Sequence, residues 1–269
     1  MIHKMELCSG NASSPRGKRV FDERCIALCL TDADEYQMTV GKNSDGVYTV
    51  KVSKHYRDWE MSVCDFLQFH ESRHNSILLS IEQEDLERAQ QRYQGHQYRD
   101  PFLRENEPAV LIHSTTYENW MSIKKDRCLK SWNVLKREKE AWEERPIGQE
   151  LGDPLDFRNF IMFSHDSISG ELVVLSKQHG RIIMNRDMLY KAGARLYLDS
   201  QKLAADGLLI RDGMHLKVLD TCPLEPYLIW CATWENVGLN SRLSTPKEFA
   251  EKSDRMFHQY VQSNSIAVF

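Results

Sequence analysis

The chain has 269 residues, 41% hydrophobic and 28% charged, which is enough apolar material for one large core or two modest ones and excludes a disordered polymer. A formal net charge of -4 gives no global basic field, so a polyanion partner would have to be held by a local patch. No apolar run reaches the roughly 18 to 20 residues that cross a bilayer, and the polar opening lacks the apolar stretch of a secretory leader, so a cytoplasmic or nuclear location and no membrane partner are expected.

Residues 1–19 mix Ser, Asn, Gly and basic side chains and read as a flexible arm. Across 25–54 the apolar positions alternate, as at Tyr48, Val50 and Val52, and Asn43, Ser44, Asp45 and Gly46 supply turn chemistry between two runs, which predicts a hairpin. Residues 62–69 and 81–93 have helical spacing, the second with Glu82, Glu84, Asp85, Glu87 and Arg88 on a solvated face. The polar stretch 95–108 contains Pro101 and ends where Ala109-Val110-Leu111-Ile112 begins a buried strand. The lobe boundary is placed there, giving a smaller mixed α/β lobe at 20–107 and a larger one at 108–269.

In the larger lobe, 117–129 has helical spacing through Trp120, Ile123 and Leu129, and 136–144 is a charged helix or ordered insert. Strands are predicted at 160–163, 171–175, 181–184, 196–198, 208–210, 215–218 and 228–233, and an amphipathic helix at 246–261. The seven cysteines, Cys8, Cys25, Cys29, Cys64, Cys128, Cys222 and Cys231, are odd in number and lack paired spacing, so they read as reduced structural thiols. No Cys/His set completes a tetrahedral zinc site, and no metal is expected.

The strongest local signal is Ile112-His113-Ser114-Thr115-Thr116, a polar cluster ending a buried strand. Hydroxyls and an imidazole there can converge on a ribose or phosphate, or they can close local hydrogen bonds.

The order Leu111-Ile112-His113-Ser114-Thr115, then Trp120, Ser122, Ile123 and Leu129, resembles the YHGT…SI…GL opening of the ADP-ribosyltransferase fold in RNA 2′-phosphotransferases. Further stretches follow in the family's order. Residues 158–164, Arg-Asn-Phe-Ile-Met-Phe-Ser, are similar to R-x-H-V-H-L-S, and 177–183, from Lys177 through His179-Gly180-Arg181, resemble RRHG-x-V-V. Residues 190–197 sit where the family has DG-x-x-F-Y, Asp206-Gly207-Leu208-Leu209-Ile210 is similar to NG-V-W-L-T, and 223–228 resemble VPP-x-Y-L. The chain departs from the pattern at Ser114, where the family has Gly, at Met162, where it has His, and in a long insert at 130–156. Arg73-His74, before Asn75, is similar with an offset to the Arg-His pair that grips RNA phosphate in the family's N-terminal lobe.

The resemblance implies an α+β fold with a split β-sheet, ADP-ribosyltransferase-like C-terminal lobe, and NAD+ as co-substrate. Its ribose hydroxyls would lie against His113, Ser114 and Thr115, with Ser164 at the nicotinamide ribose and Gly207 also in the cofactor site. Arg158, Arg181 and, less directly, Arg73 would meet the phosphate of a nucleic-acid acceptor such as RNA, because a guanidinium fork fits phosphate oxygens. His113 and Asp206 complete the implied catalytic set. Plain alternatives stand beside each role: Asp-Gly is also a common tight turn, and a lone Arg is usually solvated surface. Trp132, Trp142, His165 and Lys177 can line an RNA-facing rim or pack as ordinary side chains. Glu171 is the acidic residue placed to stand in for the catalytic Glu of protein-modifying relatives, although Gly170 beside it suggests a turn.

The leading expectation is therefore NAD-dependent ADP-ribosyl transfer to a nucleic-acid acceptor. An ADP-ribosylating toxin or defence enzyme and a catalytically inactive nucleotide- or RNA-binding module of the same fold are the alternatives.

Overall fold

The computed structural model describes residues 2–4, 25–33, 39–42, 47–138, 146–165 and 168–264, and shows a mixed α+β protein. The chain divides into two compact units. One comprises Met1–Asp100 with Leu151–Phe157 and Ile210–Leu216, and the other comprises Pro101–Glu150, Arg158–Leu209 and Lys217–Phe269. The two short segments at 151–157 and 210–216, assigned from sequence to the larger lobe, thus cluster with the first unit.

The first unit is built on β1 (Ile2–Lys4), β2 (Cys25–Thr31), β3 (Thr39–Lys42), β4 (Tyr48–Ser53), α1 (Trp59–Ser72), β5 (Ser76–Ser80) and α2 (Gln83–Arg92). Its sheet runs β1-β5-β2-β4-β3, parallel except where β3 meets β4. Strands β2, β4 and β5 are buried along nearly their whole length, as a parallel sheet requires. The expected hairpin is confined to β3 and β4, since β2 runs parallel to β4; the turn at Asn43–Gly46 lies outside the described residues. Strand β1 corrects the expectation of a loose arm over its three residues, because it adds to the edge of β5. The remainder of the arm lies outside the described residues.

The remaining elements, in chain order, are β6 (Val110–Thr115), α3 (Tyr117–Asp126), β7 (Cys128–Lys130), α4 (Trp132–Glu138), α5 (Gly148–Leu151), β8 (Phe160–Phe163), α6 (Ser169–His179), β9 (Tyr190–Lys191), β10 (Ala194–Asp199), α7 (Ser200–Ala205), β11 (Ile210–Arg211), β12 (Leu216–Leu219), β13 (Thr221–Pro223), β14 (Leu228–Thr233), β15 (Leu243–Ser244) and α8 (Pro246–Ser263). The second unit centres on the antiparallel sheet β14-β10-β6. Two short ladders, β13 with β7 and β15 with β9, flank it in sequence. One face of the central sheet packs Ile112 and Tyr197 into a core with Val174 of α6 and Phe249 and Phe257 of α8. The Tyr197 and Phe257 rings stack there at 4.2 Å.

Two predicted strands are corrected. Residues 171–175 lie inside α6, and 181–184 are irregular. The Val-Val-Leu run suits a strand locally, but Glu171, Val174 and Leu175 recur at helical spacing and are buried together. Gly180, at φ 64°, ends the helix, and Ile183 is then pinned when its N–H donates to Ser176 Oγ at 2.9 Å. The predicted strand 208–210 is reduced to its last residue, where β11 begins.

Candidate functional site

The site grows from the junction of β6 and the end of β8. Ile112 and Ser164 exchange both backbone hydrogen bonds at 2.9 Å, which joins the strand carrying His113 to the one ending in Ser164. Directly opposed residues in an antiparallel pair project to the same face, and neighbours along a strand alternate. Ser164 therefore shares a face with Ile112 and Ser114, and His113 projects to the other. The expectation that His113 and Ser164 present their side chains to one ligand is corrected by this register.

Ser114 and Ser164 are the hydroxyls that come together, on either side of Gly170 in the first turn of α6. A Cβ at Gly170 would lie 2.6 Å from Ser114 Oγ and 3.3 Å from Ser164 Oγ. Ser114 Oγ donates to Glu171 Oε1 at 2.6 Å, and the Tyr190 hydroxyl donates to Glu171 Oε2 at 2.6 Å. Arg195 of β10, whose Nη1 lies 3.5 Å from Glu171 Oε1, joins the carboxylate to Asp254 of α8 through Nε at 3.1 Å. The Tyr197 hydroxyl donates to the same Asp254 at 2.7 Å.

Glu171 and Arg195 are both fully buried. Desolvation pushes the Glu171 carboxyl above its ordinary range, opposed first by the charge of Arg195 and then by the hydroxyl bonds. This network locks α6 and α8 onto the sheet. The Ser114 hydroxyl, expected at the cofactor, is committed to it.

On the opposite face His113 is half-buried. Its Nδ1 lies 3.2 Å from the Met162 carbonyl oxygen, and its ring is 6.2 Å from that of Phe163. A carbonyl only accepts, so Nδ1 carries the proton and Nε2 of the neutral ring is left as an acceptor. Desolvation lowers the His113 pKa from 6.5, opposed by the Met162 bond and helped by the charge of Lys177. The ring is therefore neutral near pH 7.

The other predicted site residues disperse. Thr115 is buried, and its carbonyl faces Gly193, where a Cβ would come within 1.9 Å of the oxygen. Arg158 precedes β8 while Ser164 follows it, so the extended run from Phe160 to Ser164, roughly 13 Å of strand, separates them. Arg181 is exposed just beyond α6. Asp206 accepts from the Tyr227 hydroxyl at 2.6 Å, and Gly207, at φ 70°, is the left-handed residue just past α7. The turn reading of that Asp-Gly pair is the one observed. Arg73, in the first unit, pairs with Asp156 at 3.5 Å. Trp142 lies outside the described residues.

Sequence reasoning missed Arg195, Tyr190, Tyr197 and Asp254. A signal was present, since Arg195 interrupts the apolar run Ala194 to Leu198, and an arginine inside a buried strand requires an acidic partner. Among the described residues no group of three or more His, Cys, Asp or Glu is placed to hold a metal ion, and no helix is long and apolar enough to cross a membrane. The chain matches no family model, no curated protein and no solved structure.

Proposed function

We propose that the second unit binds NAD+ at the His113 face of β6 and transfers its ADP-ribosyl group to a nucleic-acid acceptor, in the manner of an RNA 2′-phosphotransferase. The observation that carries this reading is the neutral, oriented imidazole. Its Nδ1 is anchored on the Met162 carbonyl, so Nε2 is a fixed acceptor for a ribose hydroxyl, and the Phe163 ring beside it gives an apolar surface. Lys177 of α6 is half-buried and its positive charge reaches the His113 ring, although its helix packs on the other face of β6.

When bound, NAD+ supplies an ADP-ribosyl group whose bond to nicotinamide breaks as positive charge develops on the ribose. The task of this chain's residues is orientation: His113 fixes a hydroxyl, and the Nδ1 bond to the Met162 carbonyl keeps the ring from swinging.

A second reading, a nucleotide-binding module without turnover, is favoured by the internal commitments of Ser114 and Asp206 and by the roughly 13 Å of strand between Arg158 and Ser164. Transfer to protein is disfavoured, because the Glu171 carboxylate is fully buried and has three donors around it.

The deciding experiment incubates the full chain with NAD+ and an RNA oligonucleotide bearing an internal 2′-phosphate. Release of nicotinamide with loss of that phosphate supports the transferase. NAD+ binding with neither event supports the module, and a stable ADP-ribose adduct on unphosphorylated RNA would replace both with a modifying enzyme.

A further inference from the structure

At the far end of β8 from Ser164, two cations sit against one indole. The Arg158 guanidinium carbon and the Lys136 ammonium each lie 5.0 Å from the centroid of the Trp132 ring, so they are no further apart than twice that distance. Neighbouring cations are neutralised: Lys130 pairs with Asp126 at 2.9 Å and Glu138 at 2.7 Å, and Arg137 lies 4.0 Å from Asp220. Lys136 and Arg158 have no acidic partner among the described residues, and Arg158 Nε is buried without an acceptor among them. A cation held by a ring instead of a carboxylate keeps its N–H donors for a ligand.

The arrangement is held by the main chain. Ser131 N–H donates to the Asp220 carbonyl at 2.7 Å, and Asp220 N–H donates to the Asn159 carbonyl at 2.7 Å, which ties the start of α4 to the start of β8. The Asn133 amide then donates to Asn159 Oδ1 at 2.7 Å beside the ring. In a chain with a formal charge of -4, two cations fixed this close together without an acidic partner among the described residues mark an anion site.

We propose that this surface grips the phosphodiester backbone of a single-stranded nucleic acid, with Arg158 and Lys136 on phosphates and Trp132 fixing both cations. The inference rests on the proposed function for the strand's role as acceptor and on the Trp132 geometry for binding itself. Two cations with overlapping reach can meet consecutive phosphates of an extended strand, and an aromatic among cations is the usual composition of such grooves.

The test is fluorescence anisotropy of a labelled single-stranded RNA of about 12 nucleotides on the full chain without NAD+, between roughly 50 and 200 mM salt. Replacing both residues, Lys136→Gln with Arg158→Gln, should weaken binding about tenfold or more at the lower salt and flatten the log–log salt slope by about 0.7 for each phosphate no longer neutralised. The charge-keeping pair, Lys136→Arg with Arg158→Lys, should restore the slope, which a merely structural role would not do. Should the double variant fail to fold, each single Gln variant carries the same slope test.

Unchanged affinity and slope in the Gln variants would overturn the proposal, as would wild-type binding of an acidic peptide in place of RNA. An NAD+ thermal shift on the wild-type chain is read separately. Its absence with Arg158-dependent RNA binding intact removes the transferase reading and leaves this surface standing.

Discussion

The Ser114 hydroxyl donates to the Glu171 carboxylate at 2.6 Å across 57 residues of chain. That bond commits the Ile112 and Ser114 face of β6 to the side covered by α6, and so leaves His113, the next residue back, on the other face, which it shares with the fully buried Leu111. The candidate ligand position is thus set by an internal ion network that no ligand needs to touch.

Removing the donor should destabilise without removing NAD+ binding. Ser114→Ala leaves one oxygen of a buried carboxylate short of a bond, at a cost of about 1 to 3 kcal/mol. Glu171→Ala strips the fully buried Arg195 of one of its two acidic partners and should cost more, about 3 to 5 kcal/mol. Urea unfolding of the two variants checks the order, and a smaller loss for Glu171→Ala would contradict it.

Gly193 and Gly170 should respond differently to alanine. At Gly193 the obstacle is the Thr115 carbonyl at 1.9 Å, a backbone atom of the β6–β10 ladder that has nowhere to go. At Gly170 it is the Ser114 hydroxyl at 2.6 Å, which can rotate once its bond to Glu171 is given up. Gly193→Ala is expected at or beyond the upper end of the roughly 1 to 3 kcal/mol of overpacking, and Gly170→Ala within it. Ser114→Ala combined with Gly170→Ala should lose less than the two single costs together, since one removes the atom that the other strikes. Strict additivity in thermal melts would count against this account.

Much of the outline was legible from sequence. Periodicity found α1, α2, α3 and α8 because each shows an apolar face, and it found β6, β8, β10 and β14 because their apolar runs are flanked by breakers. It failed at α6, where Val173 and Val174 carry strand preference and tertiary burial of Glu171, Val174 and Leu175 decides the matter. It failed again at the site, since His113 and Ser164 are brought side by side in the backbone, and only the register, which no single strand encodes, tells that their side chains part. Asp206 shows the opposite lesson: its turn chemistry was readable locally, and its bond to Tyr227 gives it a structural role.

Tyr197→Phe should be mild for its burial. The phenyl ring retains the 4.2 Å stack on Phe257, and what is lost is the hydroxyl, which donates to Asp254 at 2.7 Å and accepts from Arg195 Nε at 3.1 Å. A loss of about 1 to 3 kcal/mol follows for a hydrogen bond to a charged group, against about 3 to 5 for Tyr197→Ala, which also opens a cavity. Chemical denaturation separates them.

Burial of a neutral His113 makes stability depend on pH. Its folded pKa is depressed below 6.5, so above that value neither state takes up the proton and the full contribution is present. As pH falls below 6.5, the unfolded chain protonates first and stability is lost down to the folded pKa. His113→Gln should abolish that part of the acid dependence, and an unchanged difference in melting temperature between wild type and variant from pH 7 to 5 would contradict it.

The most direct test of the His113 site is calorimetric titration of NAD+ into the wild-type chain and into His113→Ala at neutral pH. Saturable binding to the wild type, weakened about tenfold or more in the variant, is the predicted result, because the lost acceptor strands a ribose hydroxyl. Equal affinity in the two proteins, or no heat from the wild type at millimolar NAD+, would contradict the account.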